Sequence, residues 1–196
     1  MSGHKVAFLF PGQGPQTVGR GQDRFRGDAA ARALLDAASQ AAGEDLETLM
    51  LRGPFDALSR TRVLQPAITA VNLACLAWLR ARGVEPWAVA GHSLGEYAAL
   101  AAADVVSPVD AIRLAAVRGR AMDDAAQANP GTMIAVVGLD VDAVVAAMAD
   151  LVPRSEGGAA NLNAPDQVVV SGTTAAMDRA AAHFEVRQLL DRPDRH

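Results

Sequence analysis

The sequence predicts an α/β protein made of two parts. Short apolar runs alternate with Ala- and Leu-rich stretches of helical spacing. One of those runs meets Gly91-x-Ser93-x-Gly95 where a strand would turn into a helix. Beyond Asn129-Pro130-Gly131 the pattern changes to closely spaced strands and short helices, which marks a boundary. At 196 residues the chain is long enough for one sizeable core and a small subdomain. Half its residues are hydrophobic and only 4% are aromatic, so that core is built from Ala, Val and Leu.

Each element follows from local pattern. Lys5 to Phe10 is a short apolar run stopped by Pro11-Gly12 and reads as a buried strand. Asp28 to Ala42 is helical by composition, and Gly53-Pro54 breaks the chain. Thr61 opens a stretch leading into a helix that ends near Arg82, with Pro66 expected in its first turn. Ile68, Val71, Cys75, Trp78 and Leu79 keep helical spacing and predict its buried face. Cys75, the single cysteine, is read as a small buried hydrophobe and excludes an internal disulfide. Ser107-Pro108-Val109-Asp110 combines an N-cap, a first-turn proline and a first-turn acid, so a helix runs from there to about Gln127. The order after Gly131 is strand (Thr132 to Leu139), helix (Val141 to Leu151), strand (Ala159 to Asn163), strand (Gln167 to Ser171), helix (Thr173 to Phe184) and strand (Val186 to Leu190). This β-α-β-β-α-β order is the split ferredoxin-like pattern. Residues 1–130 therefore form a large subdomain, 131–190 a small ferredoxin-like one, and 191–196 a tail.

The chemistry-bearing stretch is Val89-Ala90-Gly91-His92-Ser93-Leu94-Gly95-Glu96. A serine lifted clear of the backbone on a sharp turn sits in strained φ/ψ, and the residues two before and two after it have no room for side chains. The following helix points its first N–H groups at the place where an oxyanion would form. An ordinary Gly-rich turn fits the spacing too; the strand before and the helix after favour a nucleophile. The loop Pro11-Gly12-Gln13-Gly14-Pro15-Gln16 reads either as the source of a second oxyanion donor or as a plain turn. Arg118 falls on a helical stripe with Ala111, Leu114, Ala121, Met122 and Ala125. A guanidinium on an apolar stripe reads either as a snorkelling or salt-bridged arginine or as a bidentate clamp for a carboxylate.

Several classes are excluded or disfavoured. The net charge is −4, without a basic stripe, so nucleic acid is not an expected partner. No metal-ligand cluster is expected. The best membrane-span candidate, Val63 to Leu79, is interrupted by Gln65, Pro66 and Asn72, and no signal-peptide pattern precedes the first strand. No membrane association and a cytoplasmic location are therefore expected. His4 and His183 belong to no motif and are read as solvent-facing.

Six motifs, in one order and at one spacing, resemble the malonyl-CoA:acyl carrier protein transacylase family, which includes acyltransferase domains of fatty-acid and polyketide synthesis. They are Phe10-Pro11-Gly12-Gln13-Gly14, Gln65-Pro66-Ala67, Gly91-His92-Ser93-Leu94-Gly95-Glu96, Arg118-Gly119, Gly131-Thr132-Met133, and Asn161-Leu162-Asn163-Ala164-Pro165 with Gln167, Val169 and Ser171-Gly172. The resemblance implies an α/β-hydrolase-like parallel-sheet core with an inserted ferredoxin-like subdomain. It implies Ser93 as nucleophile, the N–H groups of Gln13 and Leu94 as oxyanion hole, and Arg118 as the grip on the free carboxylate of a malonyl group. His92 would be structural. Malonyl-CoA and an acyl carrier protein are the implied partners, with the coenzyme A thioester as substrate and no bound cofactor.

The resemblance is incomplete at the C-terminal side. The family's activating histidine follows the ferredoxin-like insert in a small-residue segment, and the stretch from Arg187 to His196 lacks that character. His196 stands near the expected register but is read as a frayed terminus. The C-terminal part of the core is therefore expected to be missing, with an exposed sheet edge, impaired turnover, and a complementing C-terminal segment as an implied partner. A serine esterase or thioesterase, and a non-catalytic carrier-protein-binding fragment, are the competing readings.

Overall fold

In the computed structural model, residues 5–14, 17–19 and 21–184 are described. The elements alternate as expected for an α/β chain: β1 (Ala7–Phe10), α1 (Gln22–Phe25), α2 (Ala29–Ala42), α3 (Leu46–Arg52), α4 (Phe55–Ser59), α5 (Thr61–Arg80), β2 (Ala88–Gly91), α6 (Gly95–Ala102), α7 (Pro108–Ala128), β3 (Gly131–Val137), α8 (Val141–Leu151), β4 (Gly157–Ala164), β5 (Gln167–Thr173) and α9 (Thr174–Phe184). Two compact units divide after Asp124, in the last turns of α7.

In the first unit β1 and β2 pair in parallel, with Phe10 opposite Gly91. Phe8 and Phe10 point into the core while Leu9, between them, is 76% exposed, the alternation a strand imposes. The core is otherwise helical. Leu46, Leu64, Leu73, Leu94 and Ile112 are fully buried in it, each contributing about 1.5–3 kcal/mol of burial. Ala31, Ala38, Ala70, Ala74, Ala98 and Ala115 let the helices approach closely. Asp28 caps α2 by accepting from the N–H groups of Ala30 and Ala31, and Ser107 caps α7 by accepting from the Asp110 N–H at 3.1 Å.

Helix α5 departs from expectation in three ways. It begins at Thr61, so Pro66 lies inside it rather than in its first turn. The helix runs through Pro66 without interruption, and Gly119 of α7 packs against the Thr61 carbonyl and the Arg62 backbone in the first turn of α5. The predicted face is also the wetter one: Ile68 is buried, but Val71, Trp78 and Leu79 are half-buried and Cys75 is exposed. The buried surface takes in every residue from Val63 to Ala70, then Asn72, Leu73, Ala74 and Leu76. An amphipathic stripe was the wrong template for a helix enclosed over most of its girth. Finally, α5 is long and apolar enough to cross a membrane by length and composition, contrary to the sequence reading, and 67% of that window is buried inside the fold.

Among the described residues, the second unit holds a three-stranded antiparallel sheet in the order β3-β5-β4. Gly131 pairs with Thr173 and Val137 with Gln167; β4 pairs with β5 through two irregularities, at Ala159/Asn161 and Leu162/Ala164. Ile134, Val136, Val168 and Val170 form one core with Val144 and Met148 of α8 and Ala176, Met177 and Ala180 of α9. Asp140 caps α8 by accepting from Asp142 and Ala143. His183 is exposed, as expected. His4, His196 and the expected strand from Val186 to Leu190 lie outside the described residues.

Candidate active site

The site is assembled where β2 ends and α6 begins. Ser93 has φ of 52°, a left-handed conformation uncommon for a residue with a Cβ and a store of local strain. Its neighbours explain how the turn is held. A methyl group on Gly91 would run into the Gly95 backbone, and one on Gly95 into the Phe10 carbonyl. The elbow is thus clamped between its own helix and the end of β1. The His92 N–H donates to the Phe10 carbonyl at 3.1 Å, while the His92 carbonyl accepts from Gly95 at 2.9 Å. A Cβ on Gly12 would come within 2.7 Å of that same His92 carbonyl. The Pro11–Gly14 loop therefore lies directly against the elbow.

The N-terminus of α6 is tightly wound. Glu96 donates to the Ser93 carbonyl and Tyr97 to the Leu94 carbonyl, i to i−3 bonds of 3₁₀ type. Among the described residues no carbonyl takes the N–H of Leu94 or of Gln13. The Leu94 side chain is buried and anchors this end of the helix.

Arg118 and Ser93 meet. The Arg118 Nη2 donates to Ser93 Oγ at 2.9 Å, across 25 residues of sequence. Ser93 is exposed and Arg118 half-buried. The expected apolar stripe around Arg118 is not the buried face of α7: Leu114, Ala121, Met122 and Ala125 are exposed, and the core contacts are Ala111, Ile112, Ala115, Ala116 and Gly119. Gly119 packs against the Thr61 carbonyl and the Arg62 backbone of α5, and Arg118 beside it is half-buried at the edge of the packed face. Among the described residues no carboxylate forms an ion pair with Arg118, whereas Arg62 pairs with Asp123 and Arg113 with Asp110. Arg120 donates to the Ala41 carbonyl at the end of α2.

Two residues that the sequence reading left without a role lie beside the site. Gln65, fully buried on α5, donates from Nε2 to Gln13 Oε1 at 3.4 Å and to Met122 Sδ at 3.3 Å. Asn72 donates from Nδ2 to the Pro11 carbonyl at 3.1 Å. Their signal in the sequence was the polar series Gln65, Thr69, Asn72 on one side of an otherwise apolar helix. Among the described residues no group of three His, Cys, Asp or Glu side chains is placed to hold a metal ion.

Residues 7–192 match the family model described as acyl transferase domain. The chain belongs to the acyl transferase domain family. Within that family it is 39% identical over 180 residues to the malonyl CoA-acyl carrier protein transacylase of Bacillus subtilis, a match covering 90% of this chain and 56% of that protein. The crystal structure of the malonyl-CoA:acyl carrier protein transacylase of Xanthomonas oryzae pv. oryzae superposes with a TM-score of 0.83 at 38% identity, over 94% of this chain and 59% of that one. A malonyl-transacylase in complex with its type II polyketide-synthase acyl-carrier protein also superposes at 0.83, with 34% identity over 93% and 59% of the two chains. The resemblance read from the six motifs is borne out. The chain spans less than three-fifths of the length of these relatives.

Proposed function

We propose that this acyl transferase domain chain belongs to an activity that moves a malonyl-type group from coenzyme A to the phosphopantetheine thiol of an acyl carrier protein through an ester on Ser93. The observation that carries the proposal is the 2.9 Å hydrogen bond between the Arg118 guanidinium and Ser93 Oγ. A fixed cation beside a strained serine suits an acyl group with a carboxylate at its far end. The planar fork of Arg118 takes that carboxylate, and Ser93 attacks the thioester carbonyl at the other end. Acyl groups without the carboxylate leave the cation unanswered.

In this reading Ser93 is the nucleophile and the Gln13 and Leu94 N–H groups receive the oxyanion; both lie beside the elbow with no carbonyl acceptor among the described residues. The reaction has two halves. Ser93 Oγ bonds to the acyl carbon as the carbon–sulfur bond breaks, its proton passing by way of the base to the departing coenzyme A sulfur; the carrier thiol then takes the acyl group from Oγ, and its proton returns to restore the hydroxyl. No bound cofactor is invoked. His92 is held by its backbone and is assigned no proton transfer. The base that activates Ser93 is proposed to come from polypeptide corresponding to the part of the relatives that the match does not reach, so the 196-residue chain alone turns over poorly. The finer architecture is proposed with it: a hydrolase-like core over residues 1–130, a ferredoxin-like subdomain over 131–190, and a cytoplasmic setting.

The test is intact-mass analysis of the chain after incubation with malonyl-CoA, then with carrier protein. The expected result is a slow malonyl ester on Ser93, absent in Ser93→Ala, and reduced about 10–100-fold in Arg118→Ala, the worth of a charge-assisted hydrogen bond of about 1.5–3 kcal/mol. Adding polypeptide corresponding to the unmatched part of the relatives raises turnover. Fast transfer by the chain alone overturns the impairment; hydrolysis without transfer favours an esterase; carrier binding with no ester favours a docking fragment.

A further inference from the structure

The motif Gln65-Pro66-Ala67 has no part in the chemistry above, yet its glutamine occupies an unusual position. Gln65 is completely buried. Its Nε2 is shared between Gln13 Oε1, a long contact at 3.4 Å, and Met122 Sδ at 3.3 Å, and among the described residues its Oε1 meets no donor. A buried acceptor left unpaired is disfavoured, and a leucine or methionine of similar volume would avoid that cost. Fold stability therefore does not account for an amide here.

Its neighbours lead to the site. Gln13 belongs to the loop that abuts the Ser93 elbow, and Met122 stands one helical turn beyond Arg118. Seven residues further along α5, on the same side of the helix, Asn72 donates to the Pro11 carbonyl at 3.1 Å. The two amides grip the loop at Pro11 and Gln13. Between them Gly12 has no freedom to move inward, since a Cβ there would meet the His92 carbonyl at 2.7 Å. A loop held at both ends and blocked in the middle presents its N–H groups in one geometry, which is what a preorganised oxyanion donor requires.

We propose that Gln65 is a positioning residue for this site: its buried side-chain amide holds Gln13 and so fixes where the Gln13 N–H points. The inference rests on the reading of Gln13 as an oxyanion donor, but the placement of the loop is measurable by itself. In the ¹⁵N-labelled 196-residue chain, Gln65→Leu is expected to drop the backbone order parameters of Gln13 and Gly14 from about 0.85 to below about 0.6. The thermal midpoint should stay level or rise, which a merely structural residue would not allow. Gln65→Met serves if Gln65→Leu fails to fold. Gln13→Ala, made on an exposed side chain, should loosen the same two amides, and the double variant should add nothing. Unchanged order parameters in a folded Gln65 variant, or a lowered midpoint with loosening spread along α5, overturn the proposal.

A second readout is the rate of Ser93 malonylation. Gln65→Leu is expected to slow it about tenfold at saturating malonyl-CoA, with the half-saturating concentration unmoved. Equal rates would overturn the proposal as well. If the parent chain forms no ester at all, the acyl-transfer reading fails, and the order parameters still decide the role of Gln65.

Discussion

The two units solve the problem of a small sheet differently. In the second unit, consecutive segments close their own core: β3, β4 and β5 pair antiparallel, and α8 and α9 cover one face through Val144, Met148, Ala176 and Met177. A wet opposite face is normal for such a sheet. In the first unit the described strands form a single parallel pair, a type of sheet usually covered on both faces. Here Leu9 is 76% exposed and Trp87, just before β2, is 68% exposed. The candidate site lies at the end of that exposed pair and is framed by close backbone approaches: Gly95 on Phe10, Gly12 on His92, Gly119 on Thr61. The second unit is held by side chains in a core, the site by the absence of side chains at a few close approaches.

Two glycine substitutions break this contrast most sharply. Gly95→Ala places a methyl against the Phe10 carbonyl, which neither backbone can yield without moving the elbow. It is expected to cost about 3 kcal/mol or more. Gly158→Ala, in β4, meets nothing within 4 Å and has ordinary φ; a change within about 0.5 kcal/mol is expected. Urea denaturation read by tryptophan fluorescence checks the first, because Trp78 and Trp87 both lie in the first unit, and circular dichroism checks the second. A Gly95→Ala chain as stable as its parent would show that the crowding is relieved at no cost.

The exposed face of β1 gives the next effect. Leu9→Asn removes an apolar side chain that packs against little, so stability should move by no more than about 0.5 kcal/mol. Self-association should fall, because an uncovered apolar strand is a template for pairing. Light scattering across a concentration series reads this directly. Unchanged association would place the sticky surface elsewhere, with Trp87 and Val105 the next most exposed residues to test.

How much of this was legible depends on how local each cause is. The described elements after Gly131 lay within a few residues of expectation, because each was marked by its own alternation, cap or turn. The helix from Pro108 was equally plain, its cap and first turn being contiguous in sequence. The Ser93 elbow was legible because its constraint repeats two residues to either side. What failed was orientation around a helix. The side of α5 that carries Cys75 and the side of α7 that carries Arg118 were both read as buried, since apolar spacing does not say which of two small-residue stripes meets a neighbour. On α7 the neighbour is met by Gly119, which packs on Thr61, 58 positions away in sequence. That Arg118 and Ser93 belong to one site was implied by the resemblance, whereas the direct hydrogen bond from the guanidinium to Ser93 Oγ shows only in the fold.

The smallest effect concerns the cap of α7, where a purely local device can be set against the long-range packing of the same helix. The Ser107 hydroxyl donates to the Asp110 carboxylate at 2.7 Å and Arg113 donates to it at 3.2 Å. The Ser107 hydroxyl first, and Arg113 second, hold the Asp110 carboxyl below its ordinary value of 3.8. A carboxyl depressed in the folded state binds fewer protons there than in the unfolded chain, so the unfolded state is favoured as acid is added. The stabilisation is complete above 3.8 and is lost as the pH falls through the lower folded value. Ser107→Ala should therefore bring the Asp110 titration up toward 3.8, and Arg113→Gln should bring it up by less, both read from the side-chain carboxyl resonance against pH. Because Arg118 and Gly119 lie two turns or more further along α7 and are seated by other elements, the 2.9 Å hydrogen bond to Ser93 should survive either change. Should that hydrogen bond break whenever the cap is removed, the helix start, rather than the Gly119 seat, would be what places the guanidinium.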